Sequence, residues 1–137
     1  MKSNYRVLIA LGTVFIVIFL LSFTFLNEVY LFGWAAHNWK FTFIIMLVPM
    51  LFFLFKKKFV SIFLSIGIVV GLFVGQYLGD YLRSQNIAKI TSDMTAEQVY
   101  YHQRHMGFFI WMITIIACFV LGLVFEKIST LKSLGKS

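Results

Sequence analysis

Four long apolar segments constrain the fold of this chain more than any other feature of its sequence. A helix needs about 20 mostly apolar residues to cross the roughly 30 Å of hydrocarbon in a bilayer. The segments that approach this length are residues 7–26, 36–55, 59–79 and 107–125. The second is the weakest, because its uninterrupted apolar run begins at Phe41 and Pro49 predicts a kink within it. The pattern predicts an all-α membrane protein with four transmembrane helices in a bundle.

The composition agrees with a membrane protein. Hydrophobic residues make up 61% of the chain and charged residues only 12%, whereas about a quarter of the residues in soluble domains are charged. The one cysteine, Cys118, excludes an internal disulfide and any two-cysteine metal motif. We therefore expect one integral membrane domain over residues 1–137. We expect no nucleic-acid partner, because no soluble domain with a basic face is present.

The positive charges predict an orientation. Cytoplasmic loops are enriched in Lys and Arg, and eight of the twelve Lys and Arg residues lie near the chain ends or between the second and third segments. These are Lys2, Arg6, Lys56, Lys57, Lys58, Lys127, Lys132 and Lys136. Both termini, including the basic tail 126–137, are therefore predicted to be cytoplasmic, in the plasma membrane, where anionic lipid headgroups attract them.

The acids and histidines have the opposite distribution. All histidines and all acids except Glu126 fall on the predicted outer side: His37, His102, His105, Glu28, Asp80, Asp93 and Glu97. Tyr and Trp residues, among them Trp111, predict an aromatic belt on the same side. A site for a polar ligand is therefore expected on the outer face.

Glycines recur at every fourth position of the third segment: Gly67, Gly71, Gly75 and Gly79. At about 100° per residue, this spacing places them along one slowly winding groove of a helix. Close approach at small residues is a main source of helix association in lipid. The groove predicts a helix-packing face, filled either by another helix of the chain or by a partner.

Three polar residues follow at the outer end of this segment. Gln76, Asp80 and Arg83 fall at about 0°, 40° and 340° on a continuous helix, so they share one face and can hydrogen-bond with one another. Asp80 and Arg83 are three residues apart, and this spacing predicts an ion pair that ends the span.

Residues 80–106 form a connection too long to lack structure of its own. Thr95 and Gln98 have the spacing of a capping box, with Glu97 in the first turn. A helical cap is therefore predicted to begin near Ala96 and lead toward the fourth span, with Gly107 where it enters the membrane or bends.

Histidines in this cap suggest a metal site. On one continuous helix His102 and His105 would lie about 60° apart, near enough to reach one ion. Glu97 and His37 could complete a ligand set suited to zinc or a similar divalent metal. The alternative is that these histidines bond to loop carbonyls or headgroups and bind no metal.

Several functions fit these features. The first is an accessory subunit that binds a partner membrane subunit or a second copy through the glycine groove and the outer cap. The second is binding or transport of a metal or small ligand on the outer face by His37, His102, His105 and Asp80. A holin-like pore former and a membrane-embedded enzyme with His102 or His105 as general base are further alternatives. A proton-coupled transporter is disfavoured, because no span carries an acid or base at mid-depth.

Overall fold

The computed structural model describes the backbone of residues 2–134 and the side chains of residues 5–133. This part of the chain contains six helices and no strand. The helices are α1 (Lys2–Phe23), α2 (Tyr30–His37), α3 (Trp39–Leu54), α4 (Lys58–Ile87), α5 (Ala96–Gln103) and α6 (Gly107–Leu134). The predicted cytoplasmic residue Lys136 lies outside the described residues.

Three of these helices, α1, α4 and α6, are long and apolar enough to cross a membrane. Helices α2 and α3 meet this criterion only as a pair, and their axes are bent by 92° with respect to each other. The described residues therefore contain three helices that could cross a membrane, or four candidate spans if the bent pair makes one crossing. Helix α3 alone has 16 residues, which at 1.5 Å per residue gives about 24 Å, less than the hydrocarbon thickness.

The break in the second apolar segment differs from the sequence prediction. One helix over residues 36–55 with a kink at Pro49 was expected, but the helix breaks at Asn38 and continues through Pro49 to Leu54. The Asn38 backbone, at φ −96° and ψ 44°, leaves the helical region. Its Nδ2 also donates to the Trp34 carbonyl oxygen at 3.0 Å.

Side-chain bonding stabilises this bend. The Thr42 hydroxyl in α3 is buried and donates to the Ala35 carbonyl oxygen of α2 at 2.9 Å. The last carbonyls of a helix lack partners within it, so this bond satisfies one such group at the end of α2. The chain therefore changes direction at the junction of α2 and α3 and not at Pro49.

Helix α4 is the centre of the fold. It packs most extensively against α6, then against α3, and also contacts α1, α2 and α5. Within the described residues α1 has no backbone contact with α6. One hydrophobic core joins all of the helices except α5, with Phe15, Phe32, Met46, Leu72 and Trp111 among its buried members. Residues 80–87, predicted to lie in the outer connection, are the last turns of α4.

The glycines of α4 lie against α6 of the same chain. A Cβ atom added at Gly67 would be 2.8 Å from the Cβ of Cys118. Added at Gly75, it would be 2.6 Å from the backbone oxygen of Gly107. Contacts this short leave no room for a side chain, so α6 occupies the groove that the spacing predicted.

The close approach of α4 and α6 also buries an aromatic ring. Trp111, predicted to lie in the outer belt, is 0% exposed, and its Nε1 donates to the Ile68 carbonyl oxygen at 3.0 Å. Added Cβ atoms at Gly71 and Gly75 would be 3.1 and 3.2 Å from Trp111. The Trp111 side chain therefore fills space that these glycines leave, with its ring beside Gly71 and its Cβ beside Gly75, and its assignment to the belt was wrong.

The cap before α6 agrees with the sequence at its start and differs at its end. Helix α5 begins at Ala96, and both bonds of the predicted capping box between Thr95 and Gln98 are present. It ends at Gln103, however, and Arg104 has an extended backbone with φ −64° and ψ 130°. Helices α5 and α6 are therefore separate.

Candidate functional site

A hydrogen-bond network connects α2, α4 and the start of α6. The Leu31 N–H donates to Gln76 Oε1 at 2.6 Å, and Gln76 Nε2 donates to Asp80 Oδ2 at 2.6 Å. The other Asp80 oxygen, Oδ1, lies 3.0 Å from His105 Nε2. His105 Nδ1 accepts from the Gly107 N–H at 3.0 Å. These five residues are called the Asp80 network below.

The backbone groups at both ends determine the direction of every bond in the Asp80 network. Because Leu31 donates to Gln76 Oε1, the Gln76 amide must present its nitrogen to Asp80. Because Gly107 donates to His105 Nδ1, the proton of a neutral imidazole must be on Nε2, which then donates to Asp80. Asp80 therefore accepts two hydrogen bonds, one at each carboxyl oxygen.

The network also caps two helix N-termini. The Leu31 N–H lies in the first turn of α2, and the Gly107 N–H belongs to the first residue of α6. Such groups have no partner within their own helix and carry partial positive charge. Val29, the N-cap residue of α2, supplies no side-chain bond. Asp80 does not contact either terminus directly. Gln76 links it to the N-terminus of α2, and His105 links it to the N-terminus of α6.

Burial separates the interior of the network from its outer edge. Gln76 is 2% exposed and His105 6% exposed. The Tyr30 ring stacks on His105 with ring centroids 4.0 Å apart. The Asp80 side chain, in contrast, is 53% exposed. The carboxylate therefore has acceptor capacity directed away from the core, where a ligand could donate to it.

The predicted ion pair between Asp80 and Arg83 is not formed. Helix α4 continues past both residues, but among the described side chains Asp80 contacts His105 and not Arg83. The predicted bond between Gln76 and Asp80 is present. Both carboxylate oxygens already accept from more buried donors, and Arg83 remains exposed.

The predicted metal ligands are not gathered in one place. Since α5 ends before His105, His102 and His105 do not share a helix. His37 is exposed and lines a surface pocket with Asn27, and Glu97 is exposed at the start of α5. Among the described residues, no group of three or more His, Cys, Asp or Glu side chains could hold a metal ion.

The bonding of His105 also limits its chemistry. One ring nitrogen accepts from Gly107 and the other bonds to Asp80. To bind a metal ion or act as a general base, His105 would have to give up one of these bonds. Asp80 is the member of the network with an exposed side chain and spare acceptor capacity.

One acid in the connection between α4 and α5 has a lowered pKa. A hydrogen bond from the Thr91 side chain lowers the pKa of the Asp93 carboxyl, and a backbone hydrogen bond has the same effect. Asp93 lies in the exposed connection between α4 and α5, apart from the Asp80 network.

Sequence reasoning identified Gln76 and Asp80 but missed three members of this site. Leu31 and Gly107 contribute backbone N–H groups, which no side-chain motif reports, and Tyr30 contributes a ring. His105 was singled out as a metal ligand and not as the partner of Asp80, which is 25 positions away. One feature of the sequence could have pointed to this site. Gln76 lies in an apolar segment, and a buried amide must find hydrogen-bond partners.

No family model matches this chain, and neither a curated protein nor a solved structure shows significant similarity to it.

Proposed function

We propose that this chain is an integral plasma-membrane protein with both termini in the cytoplasm and that it functions as an accessory subunit. In this proposal α2 and α3 together make the second of four crossings, and the chain binds another membrane protein or a second copy of itself. The distribution of Lys and Arg supports the orientation. The observation that carries the proposed function is the weak attachment of α1.

Helix α1 is poorly covered by the rest of the chain. Only 17% of its most apolar stretch is buried, against 56% for α4 and 11% for α6. Its backbone contacts α2, α3 and α4, and within the described residues it has no backbone contact with α6. The glycine groove is already filled by α6, so a partner would bind elsewhere. Helices α1 and α6 both leave most of their apolar surface uncovered, but α6 is packed extensively against α4 and α1 is the less firmly attached of the two.

One exposed face of α1 has the side chains that favour helix association in lipid. Ala10, Thr13, Val14 and Val17 are all exposed and fall within about 100° of arc on the helix. The Thr13 hydroxyl donates to the Ile9 carbonyl oxygen at 2.9 Å, so its polar group is satisfied. Compact side chains let two helices approach closely. Bulkier exposed residues lie on the adjacent face: Ile9, Ile16 and Leu20.

Substitution on the compact face tests this function. We expect the pair Ala10→Leu and Val14→Phe to reduce recovery of the partner or dimer by about fivefold or more, because bulk there separates the helices. Native mass spectrometry after mild-detergent extraction measures the bound copies and partners. Ile16→Phe, on the adjacent exposed face, is the matched control and should leave recovery unchanged. A wild-type protein that is always monomeric and unaccompanied would contradict the proposal.

A second candidate is ligand binding on the outer face, supported by the exposure of Asp80. A small cationic ligand would be held by its free lone pairs, whereas His37, His102 and Glu97, the further ligands that the sequence suggested, are not gathered into a metal site among the described residues. Titration of the purified protein with a small organic cation tests this candidate. We expect saturable binding to the wild type and a clear loss in Asp80→Ala. A wild type that binds no cation would contradict this candidate.

A further inference from the structure

A second polar site lies at the opposite end of α4. A cavity of about 310 Å³ opens between the α3–α4 turn and α6, a volume near the lower end of the range for small-molecule pockets, about 300–1,000 Å³. Its lining includes Lys57 and Lys127 together with Phe52, Val60 and Leu123. It therefore combines two cations with an apolar wall.

The cavity lining carries a net positive charge, because it includes two lysines and one glutamate. Lys57 and Lys127 are both exposed. Among the described side chains neither lining lysine makes an ion pair. The one acid of the lining, Glu126, accepts a hydrogen bond at Oε2 from the Phe59 N–H at 2.9 Å. An anionic ligand would meet both ammonium groups with only one carboxylate nearby.

The apolar wall lies deeper along the helices than the lysines. Leu123 is one turn further into α6 than Lys127, and Val60 is about one turn further into α4 than Lys57. Phe52 packs against Phe119 of α6, with ring centroids 5.7 Å apart. The cationic side thus faces the helix ends, while the apolar side faces the spanning segments. A ligand that fits both sides is an amphiphile with an anionic head.

We propose that this cavity binds an anionic phospholipid. Lys57 and Lys127 contact the headgroup phosphate, and the start of an acyl chain lies along Phe52 and Leu123. Basic residues next to spanning helices attract anionic lipids with about 1 kcal/mol per Lys or Arg. The apolar wall favours a lipid over free phosphate, which would leave that wall without a partner.

Lipid binding to the full-length protein in detergent tests this proposal. The probes are dioleoyl phosphatidylglycerol, dioleoyl phosphatidylcholine and the headgroup fragment glycerol 3-phosphate. We expect phosphatidylglycerol to bind at least tenfold more tightly than the other two. The pair Lys57→Gln and Lys127→Gln should weaken its binding by about tenfold or more. The matched control, Lys58→Gln with Lys132→Gln, removes the same charge outside the cavity and should change affinity by less than about threefold.

Three outcomes would overturn the proposal. Equal binding of the two lipids would show that charge does not select the ligand. Equal binding of glycerol 3-phosphate would show that the acyl chain is not held. If the control pair weakens phosphatidylglycerol binding equally, the lipid is attracted by all the lysines at this end of the helices and not by the two lysines of the cavity. If the double variant does not fold, Lys127→Gln alone, on the exposed side of α6, should still weaken binding about threefold. Partner recovery, which depends on α1, should be unchanged in these variants.

Discussion

Gly75→Leu is expected to disrupt the contact between α4 and α6 and to lower the free energy of unfolding by about 3 kcal/mol or more. Even the Cβ of the new side chain would lie 2.6 Å from the Gly107 backbone oxygen and 3.0 Å from a Leu31 methyl carbon. A backbone atom at the start of a helix cannot move aside alone, so α6 must shift. The same shift would strain the Asp80 network, which ends at Gly107.

Denaturant or thermal unfolding in detergent measures this effect, and two further variants make it specific. Gly75→Ala introduces the same Cβ clash without the longer side chain. Its free energy of unfolding should therefore lie between those of Gly75→Leu and the wild type. Gly12→Ala should be neutral or stabilising, because its Cβ would lie 3.7 Å from Met50, an ordinary contact, and alanine favours a helix. Wild-type stability in Gly75→Leu would show that α6 does not pack against this glycine.

Asp80→Asn should destabilise the protein by about 1–3 kcal/mol although it changes few atoms. Asp80 must accept two hydrogen bonds, and the amide of asparagine has only one oxygen. Its NH₂ group would face either Gln76 Nε2 or His105 Nε2, both of which donate. Rotating the Gln76 amide would lose the Leu31 bond, and moving the His105 proton would lose the Gly107 bond. No arrangement satisfies every group.

The matched control for this prediction is Arg83→Gln. Arg83 is exposed and makes no ion pair with Asp80, so its removal should change the free energy of unfolding by less than about 0.5 kcal/mol. Parallel unfolding curves of the two variants distinguish the alternatives. If Arg83→Gln is as damaging as Asp80→Asn, the C-terminal end of α4 depends on the ion pair that the sequence suggested and not on the Asp80 network.

Properties that depend on neighbouring residues could be read from the sequence. The apolar segments predicted the three helices that are long and apolar enough to cross a membrane, because length and hydropathy are local properties. Thr95 and Gln98 predicted the start of α5, since both capping bonds join residues three positions apart. The four-residue spacing predicted a glycine face on α4, because helix geometry alone places Gly67 and Gly71 on one side.

The tertiary structure decided which groups meet across the fold. Thr42 bonds to Ala35 only because the chain turns at Asn38. Asp80 pairs with His105 and not with nearby Arg83, because α6 returns along the glycines and brings a buried donor to the carboxylate. Periodicity determines the face of a helix on which a residue lies. The partner of that face depends on how separate helices pack, which no local pattern specifies.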